Sequence, residues 1–198
     1  MRSRSVPWLG DCWEADAARA PASVGTVSAM SSGRTLPYVD PRAPRGPVYR
    51  AYVRFLGTRL AAWLSMKIVW KVDPHLMRLT RGRLGMGLIV PTALLETTGA
   101  RSGRPRSNGV IYFNDGERVT IVASKLGQPE HPAWFHNARA NPDVVLGGQP
   151  FRAEIVEDET ERARLWGLAD RVFPPYAIYR ERAARVDRTI PILRLTPR

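Results

Sequence analysis

The chain has 198 residues, of which 44% are hydrophobic, and this length and composition suffice for one well-buried domain with an extension. No run of about 18 uninterrupted apolar residues occurs, and the N-terminus lacks the apolar core of a signal peptide, so we expect a cytoplasmic protein without a membrane span. The single cysteine, Cys12, excludes an internal disulfide, and three scattered histidines give no support to a metal site.

The positive charge is concentrated in the middle of the chain. In total, 30 basic and 18 acidic side chains give a formal net charge of +12, and residues 48–109 carry 11 basic and 2 acidic side chains. Such an excess is typical of proteins that bind nucleic acid, an anionic membrane surface or an acidic small molecule. The basic segment lacks the interleaved aromatic residues of single-strand binders, so we do not expect nucleic acid as a partner.

The N-terminal part of the chain separates into an extension and a helix. Residues 1–45 are rich in Arg, Ala, Ser and Pro without an apolar period, which predicts a mostly disordered extension. The alternative is a true start at Met30, with the segment upstream of it belonging to an over-extended gene. Residues 46–198 then form the folded domain. Within it, residues 48–71 show the period of a basic amphipathic helix. This helix can pack over the domain's own core or lie on the anionic inner face of the cell membrane.

Short β-rich segments follow a glycine- and arginine-rich connector at residues 80–87. The predicted strands cover residues 88–96, 106–113, 118–124, 144–146, 151–156 and 190–195. The predicted helices cover residues 132–140, 158–173 and 176–186. Asn114-Asp115-Gly116 and Gly147-Gly148 are tight hairpin signals between neighbouring strands. About six antiparallel strands with helices at the ends predict an α+β domain built round a small barrel.

The segment TTGARSGRPR at residues 97–106 is the most informative motif. Glycines let backbone N–H groups converge around an anion, and arginines supply forked donors that match phosphate or carboxylate oxygens. The segment has neither the Gly-Lys-Ser/Thr of a P-loop nor the glycine pattern of a dinucleotide fold. It therefore predicts an anion-binding loop between two strands, although solvated turns have the same composition.

Four ordered motifs resemble the deazaflavin-dependent nitroreductase and quinone-reductase family of actinobacteria, over about residues 48–198. They are LLETTGARSG at 94–103, VASK at 122–125, HPAWFHN at 131–137 with ANP at 140–142, and FPPY at 173–176 with DRTIP at 187–191. The resemblance implies a split β-barrel of the flavin-reductase type. It also implies hydride transfer from reduced coenzyme F(420), whose phosphate and oligoglutamate tail are anionic, to a quinone, nitro compound or other unsaturated acceptor.

The resemblance also implies a set of cofactor-binding residues. The phosphate region would be held by Ala100, Arg101, Ser102, Gly103, Arg104, Pro105 and Arg106. The deazaflavin ring would lie against Val122, Ala123, Ser124 and Lys125, with Trp134 in the same pocket. From the residues alone, Trp134 is more simply explained as a core tryptophan of the short helix.

The predicted catalytic residues are Ser124, Tyr176 and Tyr179. In the family, tyrosines of the C-terminal helical segment flank the substrate pocket, and Ser124 can donate a hydrogen bond near the reacting face. The spacing of the two tyrosines puts both on one helix face, where they can contact the acceptor or simply anchor the helix. Phe173 and Ile111 stand where nitro-reducing relatives have tyrosines, so a quinone or an enone is the better supported acceptor.

Two other functions are compatible with the same fold. One is a non-catalytic carrier of deazaflavin or lipid, and the other is an oxidoreductase that uses FMN. In each case the expected partner is a small molecule, with peripheral contact to an anionic membrane through the basic helix. A homodimer is expected by analogy with other split-barrel proteins.

Overall fold

The computed structural model describes residues 36–56 and 90–198. Residues 1–35 of the predicted extension and the connector at residues 80–87 lie outside the described residues. The predicted helix at 48–71 is described over its first part, where helix α1 covers Pro47–Leu56. In the described parts of the chain, no helix is long and apolar enough to cross a bilayer.

Six strands within the described residues form one closed antiparallel barrel. They are β1 (Thr92–Thr98), β2 (Pro105–Asp115), β3 (Arg118–Val122), β4 (Asp143–Leu146), β5 (Gln149–Ile155) and β6 (Ile192–Pro197). The order round the barrel is β1-β2-β3-β6-β5-β4, and β4 pairs with β1 to close the ring. Closure removes the free edges that an open sheet would expose. The predicted α+β class, a six-stranded split barrel with flanking helices, is confirmed.

Glycines with positive φ form the two tight turns that the sequence predicts. Gly116 has a φ of 65° between β2 and β3, and Gly147 and Gly148 have φ values of 58° and 85° between β4 and β5. Glycine adopts these angles without a steric penalty, so each pair of strands is joined by a short hairpin.

A proline precedes the first residue of two strands. Within the described residues, β1 begins at Thr92, directly after Pro91, and β6 begins at Ile192, directly after Pro191. Proline has no N–H to donate to the ladder. Both prolines still accept through their carbonyl oxygens, from the N–H groups of Tyr112 at 3.1 Å and Ala123 at 3.0 Å.

The remaining helices lie where the sequence predicts them. They are α2 (Ala133–Ala140), α3 (Glu159–Val172) and α4 (Tyr176–Ala184). The Asp158 carboxylate caps α3 by accepting from the N–H of Glu161 at 2.7 Å. Pro174 and Pro175 separate α3 from α4, since proline disfavours a helical conformation in the residue before it.

The apolar side chains form two clusters on the two faces of the barrel wall. The interior cluster contains Leu95, Leu146 and Leu195, each fully buried, and the apolar face of α2 completes it. The exterior cluster lies between the wall and helices α3 and α4. Alternation along β2 sends Tyr112 to the interior and Phe113 to the exterior.

Residues 36–45 are ordered against the barrel, although the sequence predicts that they belong to the disordered extension. The Pro37 carbonyl accepts from the Tyr112 hydroxyl at 2.9 Å. Asn114 exchanges two 2.9 Å hydrogen bonds with the backbone of Val39, and Pro41 is fully buried. The segment has no apolar period that could have predicted its packing. Contacts with residues distant in sequence hold it in place.

A charged network lies beside the hairpin that joins β2 to β3. Asp115 accepts from Arg164 of α3 at 3.2 Å and from Arg194 of β6 at 3.3 Å. Both arginines also pair with Glu161. The hydrogen bond from Arg164 is the largest of the effects that lower the pKa of Asp115. The Asp115 carboxyl therefore stays ionised to lower pH in the folded protein than in the unfolded chain.

We expect Asp115→Asn to lower the free energy of unfolding by about 1–2 kcal/mol at neutral pH. Because the folded-state pKa is depressed, the stabilisation is complete above the unfolded value of about 4 and is lost as the pH falls through the folded value. Urea unfolding between neutral and acid pH should show the gap between wild type and variant shrinking in acid.

Asp143→Asn is the matched control, because Asp143 forms an exposed pair with Arg152 at 3.5 Å. Its effect should stay below about 0.5 kcal/mol. A gap for Asp115→Asn that is the same at every pH would contradict the assignment.

Candidate functional site

The loop between β1 and β2, residues 99–104, is closed by its own backbone. Gly99 N–H donates to the Arg104 carbonyl and Gly103 N–H donates to the Gly99 carbonyl, both at 2.8 Å. Gly99 is buried, and a Cβ there would lie 2.6 Å from Ser102 Oγ and 3.1 Å from the Arg104 carbonyl oxygen. A side chain at this position would require Ser102 and the Arg104 carbonyl to shift, so Gly99 serves first to let the loop close tightly.

Asn137 of α2 fixes this loop to the barrel. Its Oδ1 accepts from Ala100 N–H at 2.9 Å, and its Nδ2 donates to Thr97 Oγ1 at 3.1 Å. Asn137 and Thr97 are 8% and 4% exposed, and buried amides of this kind need such partners. Asn141 adds a 3.3 Å bond to the Thr98 carbonyl. The sequence alone assigned Asn137 no role, although an asparagine on the apolar face of a short helix is a signal for one.

The hydrogen bonds of the loop revise the expected convergence of N–H groups on an anion. The N–H groups of Gly99, Ala100 and Gly103 are used within the protein, so for them that expectation is wrong. Among the described residues, the N–H groups of Arg101 and Ser102 donate to no acceptor. The exposed residues of the loop region are Ala100, Arg101, Ser102, Gly103, Arg104 and Pro105, and Arg106 is half-buried. The polar groups that the loop leaves exposed to solvent are therefore mainly guanidinium groups.

After β3 the chain forms a left-handed turn at residues 125–127. The φ values of Lys125, Leu126 and Gly127 are 44°, 56° and 74°. A non-glycine residue in this conformation costs about 1–2 kcal/mol, so surrounding contacts must hold the turn. Gly127 is buried against α4, where a Cβ would lie 2.5 Å from the Tyr179 carbonyl oxygen and 2.8 Å from Arg182 Cβ. Helix α4 therefore limits this turn on one side.

The residues predicted to contact the deazaflavin ring divide between the core and the turn. Val122 and Ala123 are 6% and 0% exposed, so their side chains serve the two core clusters. Ser124 and Lys125 are half-buried and accessible to a ligand. Trp134 is 6% exposed and lies in the interior cluster, as its interpretation as a core residue predicts.

Basic side chains from the β1–β2 loop and from the turn after β3 both act on His136 of α2. Partial burial lowers the pKa of His136, and the positive charges of Arg139, Arg101 and Lys125 lower it further. Arg101 from the loop and Lys125 from the turn thus act on the same imidazole. We call Arg101, Lys125 and Arg139, whose charges act on His136, the cationic cluster. The sequence did not reveal this cluster, because its charges come from three separate segments.

The cationic cluster contains one partly neutralised member. Lys125 Nζ lies 3.2 Å from a carboxylate oxygen of Glu130, and both side chains reach solvent. The hydrogen bond and the charge of Lys125 lower the pKa of Glu130. Exposed pairs of this kind contribute little to stability, so Lys125 remains available to an anionic ligand.

The two predicted catalytic tyrosines differ in their surroundings. Tyr176 is 2% exposed, with its ring centroid 5.1 Å from that of Phe173 and 6.2 Å from that of Tyr179. Tyr179 is half-buried, and its backbone carbonyl faces Gly127. Burial is the main cause that raises the pKa of both phenols. The structure therefore brings the backbone of Tyr179 beside the turn that follows Ser124, and its side chain packs against the exterior cluster that encloses Tyr176.

A cleft of about 500 Å³ lies beside α3, α4 and the residues before β6. On its wall, the Arg180 guanidinium stacks over Trp166 at 4.3 Å and forms two 2.7 Å bonds with Asp170. None of the predicted cofactor-binding residues lines this cleft. In the described parts of the chain, no group of three or more His, Cys, Asp or Glu side chains could hold a metal ion.

Comparisons with known proteins agree on one family. The family model for F(420)H(2)-dependent quinone reductase matches residues 70–197. An F(420)H(2)-dependent quinone reductase of Mycobacterium tuberculosis strain H37Rv is 33% identical over 150 residues, which cover 70% of this chain and 99% of that protein.

Two solved structures also match this chain. An F(420)-H(2)-dependent reductase, FDR-A, is 37% identical, with a TM-score of 0.47 over 53% of this chain and 93% of that chain. A protein described as a domain-swapped dimer is 31% identical, with a TM-score of 0.48 over 68% of this chain and 98% of that one. Since the family model spans more than half of the sequence and the mycobacterial relative is matched over almost its whole length, the chain belongs to the F(420)H(2)-dependent quinone reductase family.

Proposed function

We propose that this protein transfers a hydride from reduced coenzyme F(420) to a quinone or another unsaturated acceptor. Family membership supports the cofactor and the reaction class. The cationic cluster is the structural observation that carries the proposal, since Arg101 and Lys125 place positive charge at the two segments expected to hold an anionic coenzyme. A bound anion would offset the repulsion that lowers the pKa of His136. The residues present therefore fit this coenzyme.

The β1–β2 loop is the proposed binding site for the phosphate region. The guanidinium groups of Arg101 and Arg104 are exposed, and their planar forks match phosphate oxygens. The N–H groups of Arg101 and Ser102 can add hydrogen bonds, and Arg106 adds charge at the start of β2. Because Asn137 already holds Ala100, binding would order little additional backbone, which favours affinity.

Ser124, Lys125 and Tyr179 are the proposed contacts of the ring and the acceptor. When bound, the deazaflavin supplies a hydride, two electrons in one step. The protein must orient the acceptor, exclude water and supply one proton to the acceptor oxygen. Ser124 Oγ can donate a hydrogen bond to that oxygen. The raised pKa of Tyr179 keeps its phenol protonated at neutral pH, so it can donate as well.

The first test is a titration of the purified full chain with reduced coenzyme F(420), run beside FMN and followed by ligand fluorescence at two salt concentrations. Saturable binding that is selective for the deazaflavin, with steady oxidation of the coenzyme by menadione, supports the proposal. Binding without turnover would indicate a carrier. Binding of FMN alone would indicate a flavin-dependent enzyme, and binding of neither would contradict the proposed function.

We expect Arg101→Gln to raise the dissociation constant of the coenzyme about tenfold, which corresponds to the loss of one charge-assisted contact worth about 1.4 kcal/mol. Arg152→Gln is the matched control, because Arg152 is an exposed arginine of β5 that pairs with Asp143. This control should leave the dissociation constant unchanged. Equal affinities of the Arg101 variant and wild type would remove the loop from the binding site.

The tyrosines provide a second prediction, on turnover. Tyr179→Phe should lower kcat about tenfold, since it removes the half-buried phenol that we propose donates to the acceptor. Tyr176→Phe should change kcat less than about twofold if the almost fully buried Tyr176 ring acts as a helix anchor. Steady-state kinetics with menadione measures both. The reverse order of effects would assign the acceptor contact to Tyr176.

We also infer a peripheral contact with an anionic membrane through α1. Val48 is 73% exposed on this helix and Arg50 is exposed two residues later. An apolar side chain beside a basic one suits the interface of a negatively charged bilayer. Wild type should sediment with phosphatidylglycerol vesicles more than with phosphatidylcholine vesicles, and Arg50→Glu should weaken this preference. Equal sedimentation with both vesicles would contradict the contact.

The expected homodimer is a separate part of the proposal. Its test is sedimentation velocity over a range of protein concentrations. A species of twice the chain mass would support it, and a monomer at every concentration would contradict it.

A further inference from the structure

Arg188 is a buried cation whose described partners are all uncharged. It is 8% exposed and forms no ion pair within the described residues. Its NH2 donates to the Ala123 carbonyl at 2.6 Å, and its NH1 donates to the carbonyls of Ser124, at 3.1 Å, and Gln128. Its Nε donates to His131 Nδ1 at 3.1 Å. Every nitrogen of the guanidinium is therefore used on the segment that follows β3.

The end of α4 directs Arg188 toward this segment. Asp187 has a φ of 52°, and its N–H donates to the Ala184 carbonyl at 3.2 Å. The Arg188 N–H donates to the Ala183 carbonyl at 2.9 Å, which completes a Schellman motif. The backbone of Arg188 is thus fixed by a helix terminus, and its side chain crosses to the end of β3.

The bonds of Arg188 lie on both sides of the left-handed turn. The Ala123 and Ser124 carbonyls precede Lys125, and the Gln128 carbonyl follows Gly127. A turn with three consecutive positive φ values does not persist unless its surroundings determine it. Arg188 supplies that constraint from one side and the backbone of α4, at Gly127, supplies it from the other.

We propose that Arg188 is a positioning residue for the reaction: its guanidinium holds the backbone of residues 123–128 in the shape that presents Ser124 and Lys125 to the coenzyme. This inference rests on the proposed function. Arg188 itself is not proposed as a catalytic residue, because four of its five N–H donors already have acceptors within the described residues. A lysine cannot replace it, since one ammonium cannot reach three carbonyls and an imidazole in this fork geometry.

His131 makes the arrangement sensitive to acid. Its Nδ1 accepts from Arg188, so the ring is neutral with its proton on Nε2. The charged and titratable groups that act on the ring are Arg188, His136 and Arg139 of α2, and Lys125. Burial is the largest cause that lowers the pKa of His131, and the positive charge of Arg188 is the next.

Protonation of His131 would remove the acceptor for Arg188 Nε. Because its folded-state pKa is lowered, the stabilisation from neutral His131 is complete above the unfolded value of about 6.5 and is lost as the pH falls from there through the folded value. The turn should therefore loosen in acid within this range.

The test compares Arg188→Lys with wild type, first without coenzyme. Lys125 is a trypsin site within the turn, so limited trypsin digestion reports its opening. We expect cleavage after Lys125 to become at least tenfold faster in the variant, with hydrogen exchange raised in residues 123–131 and unchanged in the barrel strands. With coenzyme, the dissociation constant should rise at least tenfold and kcat should fall.

Arg194→Lys is the matched control, because Arg194 is also an almost buried cation, with a side chain 16% exposed, but pairs with Asp115 and Glu161. It should lower stability without changing cleavage after Lys125 or coenzyme affinity. If Arg188→Lys shows wild-type cleavage and affinity, the inference is overturned. If wild type binds no coenzyme, the proposed function fails, and the digestion still shows whether Arg188 holds the turn.

Variants of His131 cover the case in which Arg188→Lys does not fold. His131→Asn keeps an acceptor near the Nδ1 position without titrating in this range, and His131→Leu removes it. We expect trypsin cleavage of wild type, divided at each pH by the rate at which trypsin cleaves a small lysine ester, to accelerate as the pH falls below about 6.5. The asparagine variant should lack this acceleration, and the leucine variant should be cleaved rapidly at every pH. Identical cleavage profiles for all three proteins would overturn the inference.

Discussion

Closure of the barrel is the constraint on which the rest of the structure depends. β1 pairs with β2 on one side and with β4 on the other, so both of its hydrogen-bonding edges are engaged. β1 and β3 are each antiparallel to β2 and therefore run in the same direction. The loops that follow them leave the barrel in that direction, and α2 connects to both. This topology explains why segments distant in sequence contribute to one site.

Helix α2 contributes both to the interior core of the barrel and to the arrangement of charges at the site. Its apolar face completes the interior cluster through Trp134 and Phe135, and Asn137 on the same helix holds the β1–β2 loop. His136, also on this helix, has a pKa that is lowered by the positive charges of Arg101 and Lys125. Basic groups brought together in this manner repel one another unless an anion binds between them. The core therefore holds the cations in an arrangement that an anionic ligand stabilises.

The turn after β3 and the end of α4 depend on each other. Lys125 and Leu126 have unfavourable backbone conformations, and Gly127 permits the close approach of α4. Buried Arg188, set by the Schellman motif of α4, makes the hydrogen bonds that hold the turn. Strain of this kind is typical of functional sites, where it fixes a geometry that a relaxed turn would not keep.

The sequence by itself determined the elements and the family. Alternating apolar residues, hairpin glycines and the N-cap Asp158 are local signals, so the strands, most turns and helices α2 to α4 were predictable, and the four motifs identified the family. Only the tertiary structure decided the packing of residues 36–45, the near-complete burial of Tyr176, and the roles of Asn137 and Arg188. Each of these depends on contacts between residues far apart in the chain, which barrel closure creates and no local pattern encodes.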